Sequence, residues 1–207
     1  MTVDPHLERW NARFSDEDYH FGTAPNAFLA SQRALFRPGM KALALADGEG
    51  RNGVFLAELG LDVLSVDFSP VGIEKARRLA AERGVSLRTE CVDVFEWRWP
   101  ESAFDLVAAI FIQFADPPRR RQLFASIRRA TKPGGLLVLE GYHPNQVGRG
   151  TGGPPRADNL YTAQMLRDAF DDWEILELVE REAVLNEGRA HVGPSALVDL
   201  VARKPAA

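Results

Sequence analysis

Five apolar, β-rich runs alternate with stretches of helical periodicity in the first 145 residues, and this alternation restricts the fold more than any other feature. The runs are KALALA (41–46), DVLSVD (62–67), VSLRTECVDV (85–94), FDLVAAIFI (104–112) and GGLLVLEGY (134–142). Their near-continuous Val, Leu and Ile content is that of strands buried on both faces, as in a parallel sheet covered by helices. Between them, Ile73, Ala76, Leu79 and Ala80 put an apolar stripe on one face of a helix expected over 70–83. Asp116 is placed to cap a second helix, Pro117 to occupy its first turn and Pro133-Gly134-Gly135 to end it. Strands and helices in this order build βαβ units with right-handed crossovers.

After residue 160 the pattern changes. A short helix in TAQMLRDAF precedes WEILELVEREAVL and HVGPSALVDLVARK, two strand-like runs joined by the turn-rich NEGR. With no helix between them they form an antiparallel pair. The expected fold is therefore α/β, Rossmann-like and doubly wound, with a mostly parallel seven-stranded sheet and a C-terminal antiparallel hairpin. A single domain is expected over 1–207, with a helical lid segment at 1–40 and a cofactor-binding core at 41–143. A Gly/Pro-rich loop at 144–161 then leads to the C-terminal helix and hairpin at 162–204.

Composition narrows the partners. The net charge of −4 gives no global pull toward nucleic acid or anionic lipid, and Arg119, Arg120 and Arg121 read as a solvated helix end. The single cysteine, Cys91, excludes an intrachain disulfide and a cysteine-clustered zinc site; its apolar surroundings mark it as a small buried hydrophobe. No metal site is expected. The charged N-terminal stretch has no apolar leader core, and no apolar run approaches bilayer-spanning length. A cytoplasmic monomer or homodimer acting on a small molecule, with neither nucleic acid nor membrane as partner, is the expectation.

The turn after the first strand reads Gly48-x-Gly50-x-x-Gly53. Glycines there let backbone N–H groups and a helix N-terminus approach a ligand. Asp67 ends the second strand, where a carboxylate accepts hydrogen bonds from ribose hydroxyls. NAD enzymes and S-adenosylmethionine enzymes share both features. Asp93 near the end of the third run, the KPGG turn before LLVLE, and a closing helix and hairpin in place of a second domain favour S-adenosyl-L-methionine.

The ordered segments LALADGEGRN, SVDFS, CVDVF, FDLVAAIF and KPGGLLVLEG resemble the class I S-adenosylmethionine-dependent methyltransferases. YHFGTAPNAFLA and GTGGP make the chain similar to the branch around the tellurite-resistance methyltransferases. The resemblance implies that Gly48 and Gly50 lie under the methionine and ribose parts of the cofactor, with Asn52 beside them. It implies further that Asp67 holds the ribose hydroxyls, Phe68 lies against the adenine, and Asp93 and Val94 frame the adenine edge. Phe111 and Ile112 would border the sulfonium and its methyl group. Where the family commonly has an acid and then a glycine, this chain has Ala44 and Ala46; Asp47 is the candidate to face the cofactor's ammonium.

Candidates for the acceptor side come from loops above the carboxyl ends of the strands. They are Tyr19 and His20, Gln113, Tyr142, His143, Arg149 and Arg156, with His191 less favoured because a histidine inside a late strand is more often a satisfied structural residue. His143 and Tyr19 are the catalytic candidates, read either as base and lid or as a loop histidine and a packing ring. His6 reads as an exposed helix residue. A soft nucleophile such as a thiol or a chalcogen oxyanion needs no strong general base, whereas an amine or hydroxyl does. The DPPR turn at 116–119 is read as a helix cap, since Arg119 stands where a base-stacking ring would be needed. An NAD(P)-binding oxidoreductase or regulator, and a non-catalytic cofactor-binding module, are the competing readings.

Overall fold

The computed structural model describes residues 5–206. Residues 1–4 and Ala207 of the expected domain lie outside the described residues. Pro5–Phe14 (α1) and Ala27–Ser31 (α2) lead into Lys41–Leu45 (β1), Arg51–Glu58 (α3), Asp62–Asp67 (β2), Pro70–Glu82 (α4) and Arg88–Cys91 (β3). Phe104–Ile110 (β4), Pro117–Ala130 (α5), Thr131–Tyr142 (β5), Ala163–Ala169 (α6), Glu174–Glu187 (β6) and His191–Arg203 (β7) follow. The strands form one sheet in the order β3-β2-β1-β4-β5-β7-β6. Strands β1 to β5 run parallel, and β7 is antiparallel to both β5 and β6. The expected seven-stranded α/β sheet with its C-terminal hairpin is what forms.

Residue parity along the strands divides the core. Leu43, Leu45, Val107, Leu137 and Leu139 are buried with Leu123 and Ile127 of α5 and Leu166 of α6. Ala42, Ala44, Leu106, Ala108 and Val138 pack with Phe28, Leu29 and Leu56 of α2 and α3. Because both faces are covered, β1 and β4 show no polar alternation, and each fully buried leucine contributes about 2 kcal/mol. Helix starts follow their capping residues. Ser69 Oγ accepts from Gly72 N at 3.1 Å with Pro70 in the first turn, and the Asp116 carboxylate accepts from Arg119 N at 3.0 Å.

Three local expectations fail. The run at 85–94 is not a doubly buried strand: only Arg88–Cys91 pairs, at the sheet edge, and its residues are largely exposed. Cys91 is accordingly exposed rather than a buried hydrophobe, its thiol donating to the Phe68 carbonyl at 3.4 Å. Helix α5 ends at Ala130, before the Pro-Gly-Gly turn expected to stop it. Thr131 already pairs with Phe104, and the register then jumps so that Leu136 faces Leu106. The residues between bulge out, with Gly134 at φ +75°.

The winding reverses between β1 and β4: β2 and β3 lie to one side of β1, β4 and β5 to the other. Open α/β sheets bind ligands at the carboxyl ends of strands flanking such a reversal.

Candidate active site

One cavity opens at that reversal. Its floor is the turn from β1 to α3. Ala46 takes φ +49°, a left-handed conformation that normally favours glycine, so the turn keeps a glycine-like path with a side chain on it. Gly48 follows at φ +59°, with the Phe14 ring so close that an added Cβ would lie 3.1 Å from it. Gly50, at φ +90°, lets the turn rest on α4; a Cβ there would fall 2.5 Å from Ala76 Cβ. Asp67 locks the turn to β2. Its Oδ2 accepts from Gly48 N at 2.9 Å and its Oδ1 from Ser69 N at 2.8 Å. Burial pushes this carboxyl above the usual range, against the pull of those N–H donors.

Asp47 lies beneath the same turn. Its Oδ2 accepts from Ser65 Oγ and from Gly53 N, both at 2.9 Å, while Oδ1 is buried with no partner among the described residues. A Cβ on Gly53 would lie 2.6 Å from that Oδ2 and 3.4 Å from Ala44 Cβ, so the carboxylate fills ground beside the small Ala44. Burial raises the Asp47 carboxyl to about 6.

Phe68, Asp93, Val94 and Phe95 extend the lining at the ends of β2 and β3. Asp93 is exposed, and its Oδ1 accepts from Phe95 N at 2.9 Å. The opposite end is walled by Phe21, Phe111, Arg51 and His191. Phe111 turns out of β4 at φ +55° and stacks on Tyr142 with ring centroids 4.8 Å apart. The His191 ring stands edge-on to Phe111 at 4.3 Å and to Phe21 at 4.7 Å. Burial and the nearby Arg51 charge lower His191 to about 3, which keeps it neutral. The expectation that His191 is a satisfied structural residue does not hold, since its Nδ1 is buried without a partner among the described residues.

The N-terminal segment roofs the cavity with His6, Trp10, Phe14 and Phe21. The buried Lys75 straps it down: Nζ donates to Asp16 O at 2.8 Å and Asp18 O at 2.7 Å, and pairs with Glu49 at 2.6 Å. Glu49 in turn accepts from Phe21 N at 3.3 Å. The strap also meets the β6–β7 turn, where Arg189 N donates to His20 O at 2.9 Å. Glu187 gathers this corner, binding Arg51 at 2.8 Å and Ala27 N at 3.0 Å.

Of the residues singled out in the sequence, the fold brings Asp47, Gly48, Asn52, Asp67, Phe68, Asp93, Val94 and Phe111 to the cavity. Gly50 shapes the turn from behind, and Ile112 is buried in the core beside α5. Asn52 also braces α2, its Oδ1 accepting from Asn26 N at 2.9 Å. His191 apart, the acceptor-side candidates fall elsewhere. His143 caps the next turn through Nδ1, which accepts from Asn145 N at 3.1 Å, and its Nε2 lies 3.6 Å from Glu180. Tyr19 lies on α4, its hydroxyl donating to Lys75 O at 3.2 Å. Gln113 ties β4 to β5 by accepting from Tyr142 N at 2.6 Å and donating to Tyr142 O at 2.8 Å. The Tyr142 side chain packs behind Phe111, and burial pushes its phenol up. Arg149 is drawn off to Glu182 at 2.5 Å, and Arg156 is exposed on its loop. None of the residues 144–161 borders the cavity. Sequence reading missed Arg51 and Glu187, although Arg51 adjoins the glycine turn and could have been flagged by that position.

These groups suit an S-adenosyl ligand. Each Asp67 oxygen accepts one N–H and keeps a lone pair for a ribose hydroxyl, the buried Asp47 Oδ1 can receive an ammonium, and Gly48 leaves room above the turn. Residues 42–135 match a family described as a methyltransferase domain. This span is similar to class I S-adenosylmethionine-dependent methyltransferase domains. A demethylmenaquinone methyltransferase of Thermus thermophilus is 33% identical over 119 residues, 56% of this chain and 53% of its own length. Hemagglutinin 1 of Eikenella corrodens is 27% identical over 170 residues, 80% of this chain and 55% of its own. The chain thus spans about half the length of these curated relatives. TehB from Haemophilus influenzae shares the fold, with a TM-score of 0.74 at 21% identity over 88% of this chain and 63% of that one. No helix among the described residues is long and apolar enough to cross a membrane.

Proposed function

We propose that the chain transfers a methyl group to a small-molecule acceptor whose nucleophile is soft, such as a thiolate or a chalcogen oxyanion. When bound, S-adenosyl-L-methionine supplies a methyl group on a positively charged sulfur. Asp67 holds the ribose hydroxyls, Phe68 lies against the adenine, and Asp93 and Val94 meet its edge. Asp47 faces the ammonium from beneath the turn, with Gly48 and Gly50 shaping the turn and Asn52 beside it. Phe111 and Phe21 wall the methyl end and exclude water there, which keeps attack in line and suppresses hydrolysis.

The observation that carries this reading is the Asp67 carboxylate, fixed by Gly48 N and Ser69 N at the mouth of the winding reversal. The soft nucleophile follows from the poverty of bases at the other end. His191 at about 3 is too weak to deprotonate an amine or alcohol near neutral pH, and His143 and Tyr19 do not border the cavity. A nucleophile that arrives ionised needs no such help. Thermal denaturation with S-adenosylhomocysteine or NADH tests the cofactor, because only a ligand of the folded state raises the melting temperature. The reading requires a rise with S-adenosylhomocysteine alone; a rise with NADH alone refutes it.

A further inference from the structure

Two buried polar atoms at the acceptor end have no partner among the described residues: Arg51 Nη1 and His191 Nδ1. Both side chains border the cavity, and both residues are nine-tenths or more buried, Arg51 at 6% exposure and His191 at 7%. Arg51 is anchored, not floating, since its Nη2 lies 2.8 Å from Glu187 Oε2. That leaves the outer edge of a fixed guanidinium as a donor in a low-dielectric wall. Around it the surfaces are aromatic, with Phe21 and Phe111 packed edge-on to the imidazole.

We infer that Arg51 and His191 form an anion subsite for the acceptor, taking a carboxylate or comparable oxyanion carried on an apolar, planar body. This rests on the methyl-transfer reading and names the class of acceptor for the same cavity. Guanidinium N–H is an obligate donor, so its counterpart must be an acceptor, and an anion gives the strongest charge-assisted bond. A neutral imidazole in its Nδ1–H tautomer adds a second donor without adding charge. The flat body packs against the aromatic walls that Phe21 and Phe111 present to the cavity, and the anionic group fixes which end of it faces the methyl donor.

Titration calorimetry with benzoate and its neutral isostere benzamide, on protein saturated with S-adenosylhomocysteine, tests the subsite. Benzoate is expected to bind at least about tenfold more tightly than benzamide, and Arg51→Gln to erase that preference. His191→Phe, which keeps the ring packing and the Arg51–Glu187 pair, is expected to reduce it about threefold and serves if Arg51→Gln unfolds. Equal affinities for benzoate and benzamide would overturn the inference. So would an Arg51→Gln protein that loses S-adenosylhomocysteine yet keeps 5′-methylthioadenosine, because the guanidinium would then serve the donor's own carboxylate. If the wild-type protein binds no S-adenosylhomocysteine, the methyl-transfer reading fails on its own, and the two benzoate arms on the free protein still decide the subsite.

Discussion

The two ends of the cavity are assembled over different distances along the chain. At the nucleoside end, Gly48 and Asp67 are 19 residues apart and joined through a backbone N–H, as part of one βαβ unit. At the acceptor end, Asn26 reaches Glu187 across 161 residues, and the strap, α3 and the β6–β7 hairpin meet only because the sheet is complete. The first end is held by turn geometry and carboxylate-to-backbone bonds. The second depends on buried ion pairs and ring packing, and its shape can change without altering how the cofactor is gripped.

The largest effect expected is on the strap. Lys75→Met leaves Glu49 buried without its cation and removes both carbonyl contacts, which should cost about 3–5 kcal/mol in chemical denaturation. Adding Glu49→Leu should recover most of the stability but not the strap, separating folding from coverage of the cavity. At the nucleoside end, Gly50→Ala forces a Cβ against Ala76 in a left-handed backbone and should cost about 2–3 kcal/mol, with weaker S-adenosylhomocysteine binding. A strap variant that weakened S-adenosylhomocysteine as much as Gly50→Ala would break the division between the two ends.

Next in size is a pH effect behind the acceptor end. Glu140 is pushed up to about 8 by burial and by the neighbouring Asp199, and it bonds Asn26 at 2.6 Å and Arg181 at 2.5 Å. Arg181 also pairs with Asp199. Between the ordinary glutamate value of 4.5 and about 8, the folded chain keeps a proton the unfolded chain has released. Stability from this group is therefore fully present below 4.5 and declines as pH rises to about 8. Glu140→Gln should flatten that part of the stability profile, measured by denaturation at each pH. The smallest effect is at Ala46, where glycine relieves the left-handed strain but adds chain entropy. Ala46→Gly should be stabilising by about 1 kcal/mol or less in the same denaturation assay.

The same contrast explains what could be read in the sequence. The strands, the caps at Ser69 and Asp116, and the Gly48–Asp67 pairing are local, so apolar period, capping residues and glycine spacing reveal them. The exposure of Cys91 was hidden because edge position is a property of the sheet order, not of the run around it. His143 looked apt because it follows β5, yet its ring turns back to cap the next residues. His191 looked structural because it starts a late strand, and only the arrival of Phe21 and Phe111 makes it part of a wall. Ala44 and Ala46 looked like a damaged motif. In three dimensions Asp47 lies beside Ala44, and Ala46 keeps the glycine-like turn.

The most direct test is a calorimetric titration of S-adenosylhomocysteine into the wild-type protein and Asp67→Ala. The account predicts one site per chain and a loss of about thirtyfold or more in the variant, as two hydrogen bonds to a charged group disappear. Unchanged affinity in Asp67→Ala would contradict it.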